Sequence, residues 1–404
     1  MAFFNPLRPA YFQDPYPSLH RLRREDPVHW SRDLDAWVVT SHEHCLGVIQ
    51  DDESFSSDPG RAGGPFGEEV RRKRAGTPLG GAPIMGNSDP PVHTALRSIV
   101  NRGFTPRAIE SAREEVERAV AALLADLPTP GRPFDAIAQF AEPLAVSTVL
   151  QHLGIPREDF GRFREWSMAL MRARAEGTAG AGVLEAAAQA REDMLGYLAQ
   201  LTEQREAAAG ETDNNVLSVL VDACDEGAIE PDEMLMMLIH ISLAGNGPTA
   251  MAIGNALAAL AAFPGVQERL RAEPELVPAA VEELLRFDSS THFIVRFALR
   301  DKALGARTVR AGHQVHVMVG AANRDPARFA DPDVLDIERA DNRHLSFGHG
   351  IHFCLGAPLA RLELQVALRR FLEHTGPFEV VEGSRAPSYQ VRGYQRLILR
   401  ELPR

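Results

Sequence analysis

The sequence has few cysteines and no long uninterrupted hydrophobic run. Only Cys45, Cys224 and Cys354 occur in 404 residues, and they are odd in number and widely spaced. A disulfide framework is therefore not expected, and a reducing cytoplasm suits the chain. No stretch reaches about 18 consecutive apolar residues, and the first residues lack a charged segment followed by an apolar core. We therefore expect a cytoplasmic protein without a membrane span or a signal peptide.

Basic residues are also in the minority. The chain has 43 Lys and Arg residues against 55 Asp and Glu residues, a net charge of −12. A general nucleic-acid-binding protein would carry a basic excess, so we expect no nucleic-acid partner. The composition is that of a globular protein, and a chain of this length buries a large core without staples. No linker separates two parts, so we predict one domain over residues 1–404.

The patterning predicts a mainly helical protein with smaller β-sheet regions. Helical patterns dominate about residues 91–287 and 356–373, and strand patterns about residues 28–41, 292–320 and 378–404. One helix is expected from Pro231 to the break at Pro264, about 45–50 Å long at 1.5 Å per residue. Because it is apolar nearly all round, it should cross the interior. The Gly/Pro-rich residues 57–88 predict a long loop, and residues 172–192 a mobile connection between helices.

The most informative segment is FGHGIHFCLGAPLAR, residues 347–361. Cys354 stands just before a helical pattern, where the helix dipole and free N–H groups favour a thiolate. The flanking residues suit a flat apolar group, since glycines allow close approach and phenylalanines supply an apolar shell: Gly348, Gly350, Gly356, Phe347 and Phe353. A thiolate in such a setting can bind haem iron. A buried structural cysteine is the alternative interpretation.

This segment resembles the haem-binding loop of cytochromes P450, F-x-x-G-x-[HR]-x-C-x-G. The matching residues are Phe347, Gly350, His352, Cys354 and Gly356. Segments that resemble the family's E-x-x-R helix (Glu283 and Arg286), propionate-binding helix (89–97), R-x-A strand (296–298) and loop before the cysteine (321–333) follow the family order. The resemblance implies the cytochrome P450 fold, in which a long central helix lies over a buried haem b.

The resemblance also implies the role of each cofactor-binding residue. Cys354 would be the axial ligand and the metal-binding residue. The propionates would be held by His93, Arg97, Arg296 and His352, with His344 as a weaker candidate, and the loop would contact haem through Phe347, Gly348 and Gly356. Glu283 and Arg286 would form a buried structural ion pair.

The central helix departs from the family pattern A-G-x-[ED]-T. Gly247 and Pro248 stand where the family has an acid and an alcohol that relay protons. Pro248 has no N–H for the carbonyl of Ala244, so a kink is expected near residues 244–248. The catalytic candidates that replace the pair are Thr249, Asn246 and water held by the Ala244 carbonyl.

The implied activity is a haem-thiolate monooxygenase that hydroxylates or otherwise oxidises a hydrophobic small molecule such as a steroid, terpenoid, fatty acid or polyketide. It would use O2 and electrons from a ferredoxin and a ferredoxin reductase, and it would be a monomer. The predicted substrate-lining residues are Met85, Ile241, Leu243, Phe293, Ile294 and Val295. A basic patch that would receive the ferredoxin comprises Arg102, Arg107, Arg361, Arg369 and Arg370.

Two alternatives remain at this stage. The missing acid–alcohol pair is also compatible with a peroxide-dependent peroxygenase or an oxidative coupling enzyme. A non-enzymatic alternative is a zinc-stabilised protein, because His349, His352 and Cys354 lie close together in the sequence.

Overall fold

The computed structural model describes residues 4–76, 79–175, 181–207 and 215–403. Helices dominate this part of the chain, as the patterning predicts. In chain order they are α1 (Pro9–Gln13), α2 (Tyr16–Glu25), α3 (His42–Gln50), α4 (Gly64–Ala75), α5 (Val92–Val100), α6 (Pro106–Ala125), α7 (Glu142–Leu153), α8 (Phe160–Ala175), α9 (Ala181–Ala207), α10 (Val216–Asp225), α11 (Pro231–Ala262), α12 (Pro264–Ala272), α13 (Val277–Phe287), α14 (Val319–Ala322) and α15 (Ala357–His374).

Strands form three small sheets in the described residues. They are β1 (Val28–Ser31), β2 (Ala36–Val39), β3 (Phe55–Ser56), β4 (Phe134–Asp135), β5 (Ile294–Ala298), β6 (Lys302–Leu304), β7 (Arg307–Val309), β8 (Gln314–Val317), β9 (Phe378–Arg385) and β10 (Tyr394–Glu401). The sheet orders are β1-β2-β8-β5-β3, β4-β10-β9 and β6-β7. Only the β2–β8 pairing among them is parallel. Eight of these strands lie within the regions that the sequence indicates, whereas β3 and β4 lie outside them.

Helix α11 is the long interior helix that the sequence predicts, and it has 32 residues. It begins with Pro231 in the first turn and a capping box, in which the Glu233 carboxylate accepts a hydrogen bond from the Glu230 backbone N–H (2.9 Å). Its first part packs in one hydrophobic cluster and its second part in another. Its length and hydropathy would suffice to cross a membrane, but 56% of the apolar segment is buried inside the fold. Burial on this scale identifies α11 as a core helix.

A buried ion pair joins α13 to the segment that leads into the cysteine loop. Arg286 donates to both carboxylate oxygens of Glu283 at 2.7 and 2.8 Å, and both side chains are 0% exposed. The same guanidinium donates to the carbonyls of Asn323 and Pro332 at 2.8 and 2.9 Å. Breaking one partner of such a pair would leave a buried charge without compensation. The pair is structural, as the resemblance implies.

Two expectations about connections are corrected. Residues 57–88 are not one long loop, because α4 occupies positions 64–75. This helix lacks clear apolar periodicity and is held by tertiary contact, since the Phe66 ring stacks on Phe297 at 6.0 Å. Within the predicted connection 172–192, positions 172–175 and 181–192 are helical. The remainder of that connection, 176–180, lies outside the described residues.

Candidate active site

The cysteine loop is shaped by glycines in left-handed conformations. Gly348 and Gly350 both have φ of 69°, a value that L side chains rarely adopt. The Cys354 N–H donates to the Phe347 carbonyl at 2.8 Å, and this bond closes the loop just before α15 begins. The positions of the glycines relative to the cysteine therefore determine the loop conformation, and the loop fixes the direction of the thiol.

Cys354 is exposed to solvent, although many protein atoms lie around its thiol. Burial raises its pKa, whereas hydrogen bonds from the amides of Gly356 and Ala357 and the positive charge of Arg97 act in the opposite direction. The raised pKa favours the thiol, so a further positive centre next to the sulfur is needed to hold it as a thiolate. A metal ion supplies such a charge.

Four basic side chains from three separate segments meet beside this loop. The rings of His93 on α5 and His352 in the loop lie 4.2 Å apart between centroids. Arg97, one turn after His93, donates to the Phe353 carbonyl at 2.7 Å. Arg296 on β5 is buried, and its electrostatic effect reaches both histidines. We call His93, Arg97, Arg296 and His352 the basic cluster.

The basic cluster lacks an acidic partner. None of its members forms an ion pair with a carboxylate in the described part of the chain, and both ring nitrogens of His93 are buried without a hydrogen-bond partner. Burial lowers the pKa of Arg296 to about 10. Burial, reinforced by Arg296 and His93, lowers the pKa of His352 to about 3. The nearby Asp89 carboxylate is engaged by Ser56, Ser57 and Arg61.

These observations fit an iron porphyrin. The exposed thiol of Cys354 can take the iron, and the unpaired basic side chains beside it can take the two carboxylates of the porphyrin. The structure brings together the four basic residues and the cysteine that the sequence analysis names for the cofactor. The Arg361 guanidinium lies over the Phe347 ring, 4.5 Å from the ring centroid. The zinc alternative is not supported. In the described ranges no group of three or more His, Cys, Asp or Glu side chains is arranged to hold a metal ion.

The resemblance to cytochromes P450 implies that the proline-containing turn of α11 lies beside the haem. Leu355 packs against the hydrophobic cluster that includes the first part of α11, and Phe347 packs against the cluster that includes its second part. Ala244 is exposed in this turn, although α11 is otherwise a core helix. Asn246, two residues on, is buried on the opposite side of the helix.

The helix is continuous through Pro248. The Thr249 hydroxyl donates to the Gly245 carbonyl at 3.0 Å, so it is satisfied within the helix as a donor and keeps its lone pairs as acceptors. Because Pro248 has no N–H, the Ala244 carbonyl receives no helical hydrogen bond from that position. A kink at this proline stays a prediction.

Three of the predicted substrate-lining residues are packed in the core instead. Met85 and Ile241 belong to one hydrophobic cluster, which Leu243 also contacts. Phe293 stacks between His316 and Tyr389 at 4.7 and 4.3 Å. Their apolar character suits a pocket and a core equally, so their contact with substrate stays a prediction. Ile294 and Val295 are half-buried.

The sequence analysis missed His240 on α11. It is half-buried and lies one helical turn before Ala244, on the same face. An ideal Cβ built on Gly86 would lie 2.8 Å from its Nε2 atom, so only glycine allows this approach of the segment before α5. Counting four residues back from Ala244 would have identified it.

The predicted basic patch is largely neutralised. Arg361 makes a two-pronged ion pair with Glu282 at 2.8 Å for each bond, and His344 lies against the same carboxylate at 3.3 Å. Arg369 and Arg370 pair with neighbouring carboxylates. Arg102 and Arg107 are exposed. The local positive charge available to a partner is therefore smaller than the count of arginines indicates.

Comparisons with known proteins agree with this architecture. The family model described as Cytochrome P450 matches residues 181–388. The chain is 36% identical over 378 residues to the mycinamicin IV hydroxylase/epoxidase of Micromonospora griseorubida, covering 91% of this chain and 89% of that protein. It is 33% identical over 404 residues to the vitamin D(3) 25-hydroxylase of Pseudonocardia autotrophica, covering 98% and 96%. The solved bacillaene polyketide synthase cytochrome P450 PksS of Bacillus subtilis 168 superposes with a TM-score of 0.88 and 30% identity over 99% of this chain and 100% of that chain.

Proposed function

This chain belongs to the cytochrome P450 family and is a haem-thiolate monooxygenase, and we propose that it oxidises a bulky, largely apolar molecule of the polyketide or steroid type. Relatives whose names specify mycinamicin IV and vitamin D(3), and a structural neighbour from a polyketide synthase, support this substrate class. Fatty acids and terpenoids are the other apolar classes that the sequence favours. Among the candidate substrate classes, we propose large, mostly apolar molecules that carry a few polar groups.

The exposed Cys354 thiol beside a basic cluster without carboxylate partners is the observation that carries the assignment. Cys354 would hold the iron of haem b, and the basic cluster would hold its two carboxylates through charge-assisted hydrogen bonds. When bound, haem supplies the activation of dioxygen and the transfer of one oxygen atom to substrate. The protein's own residues then bind and orient substrate and deliver protons.

Small side chains leave room for a bulky substrate on the exposed face of α11. Ala244 and Gly247 have little or no side chain at this turn, whereas His240 offers a polar group one turn earlier. A helix face with small side chains and one polar group suits an apolar ligand that carries few polar groups. Because Ile241 is buried in the core, we propose that the residues that contact substrate lie on the face of His240 and Ala244.

We place the proton route at the turn that contains Pro248. The Ala244 carbonyl is free of a helical hydrogen bond from that residue and can hold a water molecule. The Thr249 hydroxyl donates to Gly245 and can accept from such a water. Asn246 was a candidate from sequence, but its burial on the opposite face of α11 argues against it. The route would thus use Ala244 and Thr249.

For electron supply we propose a separate acidic ferredoxin with its reductase, acting in the cytoplasm on a monomeric enzyme. Arg102 and Arg107 are exposed at the end of α5 and the start of α6, close in sequence to the propionate-binding residues. Positive charge at this surface would steer an acidic partner, and the effect would decrease with ionic strength.

One observation favours a second candidate function. Gly247 and Pro248 remove both side chains that the family uses to relay protons, and a peroxide-driven peroxygenase or oxidative coupling enzyme has a smaller need for this relay. Turnover with hydrogen peroxide that exceeds turnover with ferredoxin, reductase and dioxygen would support this alternative over the monooxygenase.

The absorption spectrum of the purified protein tests the proposal. We expect a haem band that moves toward the high-spin position on titration with a macrolide or with vitamin D3, and less with a C16 fatty acid or a small aromatic compound. A haem band that moves only with the fatty acid or the small aromatic would contradict the substrate class. Protein that cannot be reconstituted with haem would contradict the whole assignment.

Cysteine variants provide the matched control. Cys354→Ser should remove the thiolate spectrum of the carbon monoxide complex, whereas Cys224→Ser, at a half-buried position on α10, should keep it. Loss of the thiolate spectrum in the Cys224 variant alone would place the ligand elsewhere.

A further inference from the structure

The β9–β10 loop, residues 386–393, returns to the face of α11 that carries Ala244. Pro248 and Met251 follow Ala244 at intervals of four and seven residues, so all three lie on one face of the helix. None of them is fully buried, although α11 is otherwise a core helix. Gly393 lies against the last of them, since a Cβ built on Gly393 would be 2.3 Å from the Met251 Cγ atom. The loop therefore meets this open face about one helical turn beyond the proline.

The β9–β10 loop is also joined to the segment before β5. The Gln390 carbonyl accepts a hydrogen bond from the His292 N–H at 2.9 Å. Thr291 and Val391 form a β-bridge next to this bond, and both residues are half-buried. Val391 thus lies between the open face of α11 and the start of β5, where Ile294 is one of the predicted substrate-lining residues.

A single carboxylate holds both ends of this loop. Arg385, the last residue of β9, donates to one oxygen of Asp288 at 2.9 Å, and Arg392, near the end of the loop, donates to the other at 2.5 Å. Asp288 and Arg392 are 7% and 8% exposed. Burial acts to raise the pKa of Asp288, but the charges of Arg392 and Arg385 outweigh it and lower the pKa. The carboxylate is therefore ionised and paired with both guanidinium groups.

Further hydrogen bonds connect this network to α11. The Asn255 side chain donates to the carbonyls of Asp288 and Arg392 at 3.0 Å each. Its oxygen accepts a hydrogen bond from Arg385 at 2.6 Å, and the Tyr16 hydroxyl donates to the Asp288 carboxylate at 2.9 Å. Apolar side chains could fill this space without the cost of removing three charges from water. What the network adds is one defined arrangement of α11, the end of α13 and both ends of the loop.

We propose that Asp288, Arg385 and Arg392 position the β9–β10 loop as the end wall of the substrate space beside α11. This inference rests on the proposed function, because it concerns the substrate of that site. The three charged side chains act through Val391, so they are positioning residues. Held in this way, the loop limits how far a bulky ligand extends beyond Pro248.

Two iron-binding azoles of different size test this proposal in the holoenzyme. Imidazole and clotrimazole both bind haem iron through a ring nitrogen, and the haem spectrum reports each of them, but clotrimazole carries three additional aryl rings. Arg385→Leu frees one end of the loop, so a bulky ligand must order the loop when it binds. Clotrimazole should bind about threefold to tenfold more weakly to this variant, whereas imidazole should bind as it does to the wild type. Equal changes for both azoles, or no change for either, would overturn the proposal.

The azoles also separate this proposal from the proposed substrate class. Neither azole is a substrate, so their binding decides the role of the loop for any substrate class. Absence of binding by macrolides and vitamin D3 would contradict only the substrate class.

A substitution within the loop tests the wall directly. Val391→Phe enlarges the side chain and should weaken clotrimazole binding about tenfold or more, with imidazole binding unchanged. Two controls lie in the same hairpin: Val381→Phe at an exposed position of β9, and Arg396→Leu at an exposed ion pair with Glu382. Both controls should bind the two azoles as the wild type does. Unchanged clotrimazole binding in the Val391 variant with an intact haem spectrum, or weakened clotrimazole binding in either control, would overturn the proposal.

Discussion

The imidazole rings of His93 and His352 lie 4.2 Å apart between centroids, although 258 residues separate them in the sequence. Both rings adjoin Arg97 and Arg296, and no carboxylate in the described part of the chain forms an ion pair with any of the four. Such an arrangement is unfavourable by itself and becomes favourable when two carboxylates are supplied. This arrangement supports our proposal that these residues, which are far apart in the sequence, hold the two carboxylates of haem.

Replacement of Arg296 should therefore have opposite effects on the haem-free and haem-bound protein. Arg296→Leu removes a buried charge without a carboxylate partner, so the stability of the haem-free protein should be unchanged or higher. It also removes a charge-assisted bond to haem, worth about 1.5–3 kcal/mol, so haem should dissociate roughly 10- to 100-fold more readily. Haem transfer to an excess of a haem-binding globin measures this rate.

Arg300→Leu is the control for this variant. Arg300 is exposed two residues beyond β5 and pairs with Glu53 at 3.2 Å. Its replacement should leave haem dissociation unchanged. Equal haem retention in the Arg296 variant and the wild type would remove Arg296 from the propionate site.

Burial of His316 should make stability depend on pH. Burial lowers the pKa of His316 to about 4. An unfolded histidine takes up its proton near pH 6.5, so below about 6.5 the unfolded chain binds a proton that the folded chain rejects. Stability therefore falls as pH falls toward 4, by about 1.4 kcal/mol per pH unit from this group. His316→Phe should flatten the pH dependence of the urea midpoint between pH 6.5 and 4.5; an unchanged slope would contradict the prediction.

Glu363 should have the opposite pH dependence. It is buried on α15, its Oε1 atom has no hydrogen-bond partner, and burial raises its pKa to about 8. The folded chain therefore keeps a proton that the unfolded chain releases above about pH 4.3, and stability falls as pH rises toward 8. Glu363→Gln should stabilise the protein by about 3 kcal/mol at pH 7, and the advantage should be smaller at pH 5. A gain that is the same at both pH values would show that ionisation is not its cause.

Replacement of Pro248 by alanine should raise the stability of the protein and lower its product yield. Pro248→Ala returns the N–H that can bond the Ala244 carbonyl, and proline in a helix interior costs about 3 kcal/mol relative to alanine. We expect the midpoint of thermal unfolding to rise and the yield of product per dioxygen consumed to fall, because the free carbonyl is lost. A more stable variant with unchanged yield would remove this carbonyl from the proton route.

The Thr249 hydroxyl can be tested with a pair of variants. Thr249→Ala removes the hydroxyl, and Thr249→Ser keeps it; both lose a methyl group from a buried position. We expect product per dioxygen to fall several-fold in the alanine variant and to stay near the wild-type value in the serine variant. If both variants lose yield equally, the methyl group and not the hydroxyl is responsible.

Several features of the active site were predictable because local sequence determines them. The turn at the cysteine needs left-handed residues, and Gly348 and Gly350 supply them. Helix α11 was predictable because a proline start, acidic residues in its first turn and a continuous apolar pattern agree over its length. The residues proposed to bind the propionates were identified from motifs, and the structure brings these four side chains together.

Other features depend on contacts between distant segments, which the sequence does not show. Met85, Ile241 and Phe293 had the composition of a substrate pocket, but they pack in the core. A basic patch was expected, but Arg361 is paired with Glu282, a residue on another helix. In each case the sequence shows which side chains are apolar or charged, but not which neighbours they meet.

The sequence by itself therefore predicted which cysteine would hold the iron, the loop that presents its thiol and the long helix α11, because turns, caps and apolar periodicity act over a few residues. Only the tertiary structure decided which residues of α11 are exposed, and that His93 and His352 lie side by side. It also decided that Arg385 and Arg392 meet the same carboxylate of Asp288. These outcomes arise from the packing of segments far apart in the chain, which fills space collectively and cannot be assigned to any single stretch of sequence.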